Sequence, residues 1–270
     1  MSHVSFEIQR EPGTCPRCHV PSDRWRLSPR AEWTQTHCEP CERVREQEAQ
    51  QQREQRDRAR CELAEREAIA CAVRMLDVRP KYAGSSLATF QIHGDPESRT
   101  KQGRMLQVAR RYLAQWPTVE PVLVFQGAPG TGKGHVAWAI ARELAGSYGV
   151  RAQVVKLADM VRRLRATWRG QGDEEKVLSF YRTLDLLVID EVSSHAFYGQ
   201  GVHQHLYDVI DNRLEFERPT ILTSNETDAG LQSILRPALW DRLHDGGGVL
   251  DFGTASWRSR PHTPHPETPA

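Results

Sequence analysis

The sequence predicts an α/β fold in which helices flank a parallel β-sheet. Residues 80–258 contain short apolar segments, among them VLVFQ, AQVVK, LLVID and PTILTS, that alternate with amphipathic helical stretches. The glycine-rich sequence GAPGTGKG follows the first apolar segment, and two acidic residues end the third. This alternation is typical of a parallel sheet that is covered on both faces.

The glycine-rich segment at residues 127–134 matches the phosphate-binding pattern G-x-x-x-x-G-K and lies between a predicted strand and a predicted helix. Its glycines let consecutive backbone N–H groups surround phosphates, and the start of the helix adds positive potential. We expect Lys133 to reach the β and γ phosphates. The expected nucleotide-binding residues are Gly127, Ala128, Pro129, Gly130, Thr131, Gly132, Lys133, Gly134 and His135.

Gly134 departs from the pattern, which requires Ser or Thr at this place because their hydroxyl ligates magnesium. Magnesium retains several waters in most sites, so a water held from Asp190 could replace that hydroxyl. We expect nucleotide binding to persist, with weakened magnesium affinity and slow turnover. Replacing Gly134 with Ser or Thr is expected to raise magnesium affinity.

Two further strands end in polar groups. The strand LLVIDE is expected to run beside the strand of the loop, carrying Asp190 to the magnesium and Glu191 to the attacking water. The strand PTILTSN ends at Asn225, which could orient water against the γ phosphate or serve as an ordinary turn residue.

A cysteine cluster precedes this region. CPRC and CEPC give the spacing of a four-cysteine zinc site with the ligands Cys15, Cys18, Cys38 and Cys41. Since the segment has few apolar residues, metal is expected to hold it folded. His19 and His37 adjoin the pairs and could act as ligands, although a bystander role is favoured. Cys61 and Cys71 are expected to be inert thiols.

The composition divides the chain into four regions. Residues 1–41 form the predicted zinc module, 42–79 a helical arm, 80–258 the nucleotide-binding domain and 259–270 a proline-rich, disordered tail. The arm contains no Gly or Pro and is highly charged. It is interpreted either as a solvated helix or as an arm whose apolar end docks on a partner.

The segment MVRRLRATWRGQG places an aromatic residue among arginines, which is typical of single-stranded nucleic acid binding. The alternative is an amphipathic helix with Trp168 in the core. The candidate DNA-binding residues are Arg162, Arg163, Arg165, Trp168 and Arg169. Phe197 and Tyr198 extend the same candidate surface. A metal site formed by His195, His203 and His205 is not favoured, because residues two apart on a helix face different directions.

In order and spacing, GAPGTGKG, LLVIDE and LTSN resemble an AAA+ ATPase, and more narrowly the DnaC/IstB family of replicative-helicase loaders and transposition ATPases. The stretches PKYAGSSLATF, LADMVRRLRATWRG, RPALWDRL and a terminal strand with WRSR extend the resemblance over residues 78–260. The resemblance implies an AAA+ P-loop NTPase core, and the short span after Asp190 leaves little room for a separate helical lid. Implied cofactors are ATP and Mg²⁺, besides Zn²⁺ at the cysteines.

The resemblance also implies roles for individual residues. Lys133 would bind phosphates, Asp190 the metal and Glu191 the water, while Asn225 matches sensor 1. Arg242 matches the arginine finger that reaches a neighbouring subunit, with Arg236 close by, and Arg258 matches sensor 2. The arginine-rich segment matches one that faces the central channel of the assembly in initiator-like AAA+ proteins.

The expected function is that of an ATP-dependent helicase loader. Its expected partners are a hexameric replicative helicase, single-stranded DNA and further copies of the chain. Two alternatives are an IstB-like transposition ATPase acting with a transposase and duplex DNA, and a nucleotide-gated DNA-binding module with negligible hydrolysis.

Basic and acidic residues number 36 and 35, and no apolar stretch is long enough to span a membrane. No secretory signal is evident, so a cytoplasmic location, encoded by a bacterium, prophage or plasmid, is expected.

Overall fold

The computed structural model describes residues 8–26, 31–35, 38–193, 202–235, 237–246 and 248–259. The chain forms two compact units, residues 1–65 and 66–270. The boundary lies inside helix α1 (Glu39–Leu76), which begins within the second cysteine pair. Among the described helices, none combines the length and the hydropathy that crossing a membrane requires.

The first unit contains a small antiparallel sheet in the order β1-β2-β3. Its strands are β1 (Gln9–Thr14), β2 (Pro21–Arg26) and β3 (Thr34–Gln35). The guanidinium groups of Arg24 and Arg26 lie 4.9 and 4.5 Å from the centre of the Trp33 ring. Cys15 is the one fully buried apolar side chain among the described residues of this unit. So small a core fits the expectation that a metal holds the segment together.

The second unit is built on five parallel strands in the order β5-β6-β7-β4-β8. The strands are β4 (Val122–Gln126), β5 (Ala152–Lys156), β6 (Leu186–Val192), β7 (Thr220–Ser224) and β8 (Val249–Asp251). The helices after α1 are α2 (Pro96–Ala114), α3 (Lys133–Tyr148), α4 (Leu157–Trp168), α5 (Glu174–Thr183), α6 (Val202–Glu215), α7 (Asp228–Leu235) and α8 (Pro237–Gly246). The predicted parallel α/β sheet is confirmed.

One expectation about the sheet is wrong. The strand ending in Asp190 does not run beside the strand of the phosphate-binding loop, because β7 lies between them. Leu222 of β7 pairs with Val124 of β4 on one side and with Ile189 of β6 on the other. Apolar strands look alike in sequence, so their order depends on how the helices cross over the sheet.

Alternate residues of each strand bury against opposite layers of helices. Val124, Ile189 and Leu222 contribute to a core with α4, α6, α7 and α8. Leu123 and Val188 point to the other face and pack with α2, α3 and the end of α1. This alternation follows from the two-residue period of a β-strand and confirms that both faces are covered.

The apolar end of α1 belongs to the second unit and packs partly into its core, while docking of its exposed residues on a partner stays a prediction. Ala72 and Leu76 are buried in the core with α2 and α3, and Ile69 is half-buried. Leu63 and Val73 remain exposed, at 58% and 45% of their surface. An apolar stripe at helical spacing does not by itself tell an internal contact from an external one.

The end of the described chain also differs from expectation. Trp257–Ser259 is a 3₁₀ turn and not a strand, and the short strand β8 precedes it. From β8 to Ser259 the described chain forms no helical lid, in agreement with the small number of residues available.

Candidate nucleotide-binding and metal sites

The phosphate-binding loop connects β4 to α3 and depends on glycines for its shape. Gly127, Gly130 and Gly132 have φ angles of 144°, 86° and 99°, in the region that favours glycine. A Cβ atom on Gly130 would overlap the Ser256 side chain, and one on Gly132 would overlap the Phe90 ring. The loop therefore needs glycine both for its backbone and for close packing.

Neighbouring backbone segments hold the loop in place. The Ala128 N–H donates a hydrogen bond to the Gly253 carbonyl at 3.0 Å, and the Trp257 N–H donates to the Gly130 carbonyl at 2.9 Å. Within the loop, the Thr131 hydroxyl donates to the Ala128 carbonyl at 2.9 Å. The segment after β8 thus stabilises the loop from outside.

Lys133 is buried at the start of α3 and lies inside the curve of the loop. Its ammonium donates to the carbonyls of Gly127 and Ala128 at 2.7 and 2.9 Å. Burial lowers the pKa of Lys133 to about 8, although the Asp190 carboxylate acts in the opposite direction and the Arg258 charge adds to the lowering. A phosphate anion would favour the charged form.

The end of β6 presents two carboxylates in different environments. Asp190 is buried, and the Thr223 hydroxyl donates to it at 2.6 Å while accepting from the Glu191 N–H at 3.1 Å. Glu191 is exposed, has a φ of 60° and forms an ion pair with Lys156 at 2.7 Å. Its carboxylate is therefore engaged by a lysine at the end of β5.

Sequence reasoning missed both Thr223 and Lys156. Thr223 belongs to the polar end of β7, two residues before Asn225, and that run of polar residues was the available signal. Lys156 ends an apolar strand in the same way, but a lone lysine at a strand end is ordinary in sequence.

One cavity of about 570 Å³ lies at the carboxyl ends of these strands. Five of the six predicted catalytic residues line it: Lys133, Asp190, Glu191, Asn225 and Arg258. Pro129, Gly130, Gly132, Gly134 and His135 of the loop line it as well. Residues that were not among the predicted site residues complete the wall, among them Tyr82, Phe90, Gln91, His93 and Trp257.

The chemistry of this cavity fits a magnesium–nucleotide. The buried Asp190 offers a carboxylate oxygen, the ligand type that magnesium prefers, and Thr223 orients it. Lys133 and Arg258 supply positive charge for phosphates. Thr131, in the loop, is fully buried and donates inward to the backbone, so its hydroxyl supports the loop.

Arg242 lies away from the cavity. It is on α8 and forms an ion pair with Asp211 of α6. The alternative finger, Arg236, lies outside the described residues. A role toward the nucleotide of a neighbouring copy stays a prediction for both.

The four predicted zinc ligands converge in the first unit. The sulfurs of Cys15, Cys18, Cys38 and Cys41 all lie within 4.8 Å of one another. A tetrahedral zinc with bonds of about 2.3 Å places its sulfurs about 3.8 Å apart, so this arrangement fits the ion. His19 is not part of the cluster, and His37 lies outside the described residues.

Hydrogen bonding and charge within the cluster distinguish its thiols. Burial raises the pKa of Cys15, but hydrogen bonds from the backbone N–H groups of Cys38, Arg17 and Cys18 outweigh that effect. The pKa of Cys15 is therefore lowered to about 6. The pKa of Cys41 is raised to about 12, because its thiol hydrogen-bonds to Cys18 and Cys38. Four adjacent thiolates repel one another unless a cation neutralises them.

The candidate DNA-binding residues lie on α4 and just after it. Leu157, Met160, Val161 and Leu164 face the core, so Arg162 and Arg163 point outward. The alternative that Trp168 is a core residue is wrong, because 46% of its surface is exposed.

Trp168 and its arginine neighbours have defined contacts. The Trp168 indole N–H donates to Glu174, and the His205 ring centre lies 5.7 Å away. Arg162 pairs with Asp159 at 2.8 Å, and Arg163 donates to the Tyr181 hydroxyl at 3.4 Å. Arg165 is half-buried, and Arg169 is exposed. The other proposed contacts, Phe197 and Tyr198, lie outside the described residues, as does His195.

Comparison with known proteins identifies the family. The model of the family described as IstB-like ATP binding protein matches residues 98–263, which are 166 of the 270 residues. The match includes the phosphate-binding loop, Asp190 and Arg258. The chain belongs to this family.

The IstB-like chain is also similar to curated replication proteins. It is 29% identical over 187 residues to the replicative helicase loader DnaC of Escherichia coli strain K12, covering 68% of this chain and 73% of DnaC. It is 31% identical over 190 residues to DnaC of Buchnera aphidicola subsp. Baizongia pistaciae, covering 68% and 74%.

Solved structures confirm the AAA+ P-loop fold. The crystal structure of the DnaC helicase loader matches with a TM-score of 0.54 and 23% identity, covering 64% of this chain and 99% of that one. The replication initiator DnaA bound to AMPPCP and single-stranded DNA matches with a TM-score of 0.52 and 20% identity, covering 65% and 50%.

The four-cysteine cluster predicts a characteristic reactivity for this IstB-like protein. With zinc bound, only the exposed Cys61 and Cys71 should react rapidly with a thiol-specific chromogenic reagent, and the other four should react after chelation. A Cys61→Ser/Cys71→Ser variant should lose the rapid phase and keep the chelator-dependent one. Six equally rapid thiols in protein shown by metal analysis to contain zinc would contradict the site.

The lowered pKa of Lys133 predicts that nucleotide affinity depends on pH. Because phosphates raise this pKa from about 8, binding above pH 8 takes up a proton, and affinity falls as pH rises, approaching about tenfold per pH unit. Calorimetric titration with ATP between pH 7.5 and 9.5, in buffers of different ionisation enthalpy, measures both effects. A phosphate monoester, with its second pKa near 6, is already fully ionised in this range.

The control for this measurement is Lys133→Arg, whose guanidinium stays charged throughout the range. This variant should bind with an affinity that does not change between pH 7.5 and 9.5. An equal decline in both proteins would assign the pH dependence to another group.

Proposed function

We propose that this chain is an ATP-dependent loader of the replicative DNA helicase, with slow ATP hydrolysis and binding of single-stranded DNA. The observation that supports it most is the convergence of Lys133, Asp190, Asn225 and Arg258 on one cavity in a chain similar to DnaC. Such a constellation suits phosphoryl transfer, in which catalysis consists mainly of positioning and charge stabilisation.

The residues of the cavity have complementary roles in this proposal. Lys133 and the loop N–H groups bind the phosphates, and Asp190 holds magnesium, which neutralises charge on them. Asn225 and Glu191 orient the attacking water. Arg258 contacts phosphate from the 3₁₀ turn, and Arg242 reaches the cavity of a neighbouring copy.

Glu191 must leave its ion pair with Lys156 before it can accept a proton from water. Lys156 ends β5 and is followed directly by α4, the helix with the exposed arginines. A ligand that displaces α4 would therefore also affect the Lys156–Glu191 pair. This continuity supports a coupling between DNA binding and hydrolysis, and the ion pair is consistent with slow turnover in its absence.

The first unit is proposed to engage the helicase. A zinc ion held by Cys15, Cys18, Cys38 and Cys41 would stabilise the small sheet of this unit, and the charged first part of α1 begins within the second cysteine pair. Leu63 is exposed on this helix. Because the segment after residue 65 packs on the nucleotide-binding unit, the region available to a partner is residues 1–65.

Two other functions share the same site. The family name favours an IstB-like transposition ATPase, whose partners would be a transposase and duplex DNA. The engaged state of Glu191 favours a nucleotide-gated DNA-binding module with negligible hydrolysis. Phosphate release with and without single-stranded DNA separates this last function from an ATPase.

Association with the helicase is tested by co-purification. The full chain, mixed with the hexameric replicative helicase of its host, should elute with it, and a chain lacking residues 1–65 should not. This truncation keeps Ala72 and Leu76, which are part of the core, whereas removing residues 1–79 would disturb folding. Failure of the full chain to associate at low salt, or association with the host's transposase instead, would contradict helicase loading.

Binding of single-stranded DNA is tested by its salt dependence. An Arg162→Ala/Arg169→Ala variant should lower the slope of log affinity against log salt by about 1.4, or 0.7 for each lost phosphate contact. Trp168→Ala should weaken binding about 5-fold to 150-fold through lost stacking. Fluorescence anisotropy with a labelled oligonucleotide measures both.

The matched control is Arg104→Ala/Arg110→Ala, which removes the same two positive charges from exposed positions of α2. It should leave the slope unchanged. If the α4 variants bind like this control, α4 is not the DNA-binding surface.

A further inference from the structure

Gly134 is the one position of the phosphate-binding loop motif where the usual hydroxyl is missing, and the structure places another hydroxyl beside it. A Cβ atom on Gly134 would lie 2.8 Å from the Tyr82 hydroxyl oxygen and 3.5 Å from the ring carbon that bears it. Real Cβ atoms essentially never approach another atom within 3.0 Å. The phenolic oxygen thus lies against the space where a side chain at position 134 would begin.

Tyr82 is held in this position from several directions. It ends the 3₁₀ turn Pro80–Tyr82, and its ring stacks on Trp138 of α3 with centres 5.1 Å apart and planes inclined by 19°. The Lys81 ammonium lies 4.5 Å from the centre of the same ring. Three residues later, the Ser85 carbonyl accepts a hydrogen bond from Arg142 of α3. The turn is therefore attached to the helix that begins at Lys133.

The Tyr82 hydroxyl is available to a ligand. Among the residues that the structure describes, it forms no hydrogen bond, and Tyr82 lines the same cavity as Gly134, Lys133 and Asp190. A hydroxyl that points into a charged cavity without a protein partner is suited to bind an oxygen, a metal or a metal-bound water there.

We propose that the Tyr82 hydroxyl replaces the missing Ser or Thr hydroxyl at position 134 and supports the binding of magnesium with the nucleotide. Magnesium requires a complete octahedron of oxygen ligands and retains waters that the protein must position. Asp190 contributes from β6, and Tyr82 contributes from the side of α3. In this proposal the position of the Tyr82 hydroxyl requires glycine at position 134, because a side chain there would displace Tyr82.

This inference rests on the proposed binding of a magnesium–nucleotide at the cavity. It assigns a role to Tyr82, a residue that lies outside the region matched by the family model, residues 98–263. The inference also changes the expectation for Gly134: Ser or Thr alone should not raise magnesium affinity, because the new Cβ would collide with Tyr82.

The test compares four full-length proteins: the natural chain, Tyr82→Phe, Gly134→Ser and the double variant. The affinity for a fluorescent, non-hydrolysable ATP analogue is measured at increasing magnesium concentrations and in the presence of EDTA. Phe keeps the ring that stacks on Trp138, so the fold should persist, and thermal unfolding of each protein checks this.

We expect Tyr82→Phe to bind at least about tenfold more weakly in magnesium, the effect of one hydrogen bond to a charged group, and unchanged in EDTA. Gly134→Ser should weaken binding through the collision. The double variant should recover to within about threefold of the natural chain, since removing the hydroxyl leaves the Ser Cβ with an ordinary 3.5 Å contact.

Three outcomes would overturn the inference. Tyr82→Phe could bind the nucleotide as tightly as the natural chain in magnesium, or it could lose as much affinity in EDTA as in magnesium. In the third outcome, the double variant does not recover the nucleotide affinity of the natural chain. These outcomes differ from a failure of the proposed function. In that case the natural chain itself would bind no nucleotide under either condition.

Discussion

The parallel register of β4, β6 and β7 is the constraint on which the rest of the site depends. Parallel pairing places the carboxyl ends of all three strands at one edge of the sheet. The loop before Lys133 follows the end of β4, Asn225 follows the end of β7, and Asp190 lies near the end of β6. A ligand crevice at this edge is the general location of binding sites in open α/β sheets.

The position of β7 between β6 and β4 brings Thr223 into contact with both acidic residues of the site. The Thr223 hydroxyl joins the buried carboxylate of Asp190 to the backbone of Glu191, so the two acidic residues are held at fixed but different depths. The buried carboxylate is held by the Thr223 hydroxyl, while Glu191 pairs with Lys156 at the surface. Charge in the site is therefore arranged before a nucleotide arrives, which avoids a large reorganisation on binding.

Segments far apart in the chain complete the cavity around this edge. Phe90 packs on Gly132, Ser256 packs on Gly130, and Tyr82 lies against Gly134. In each contact, the side chain of a residue from a separate segment occupies the space that a side chain at the glycine would need. The glycines of the loop thus serve its packing as well as its backbone conformation, and a substitution at any of them would be felt by a partner that is distant in sequence.

The sequence by itself determined the parallel α/β class, the loop with Lys133, the pair Asp190 and Glu191, and the four cysteines. These depend on local patterns: alternating apolar segments, a glycine-rich turn between strand and helix, and paired C-x-x-C motifs. Only the tertiary structure decided the insertion of β7 between β4 and β6, the burial of the end of α1, and the contacts made by Thr223, Lys156 and Tyr82. The physical reason is that strand order and close approach depend on packing between segments far apart in the chain, and a single sequence contains no local signal for that packing.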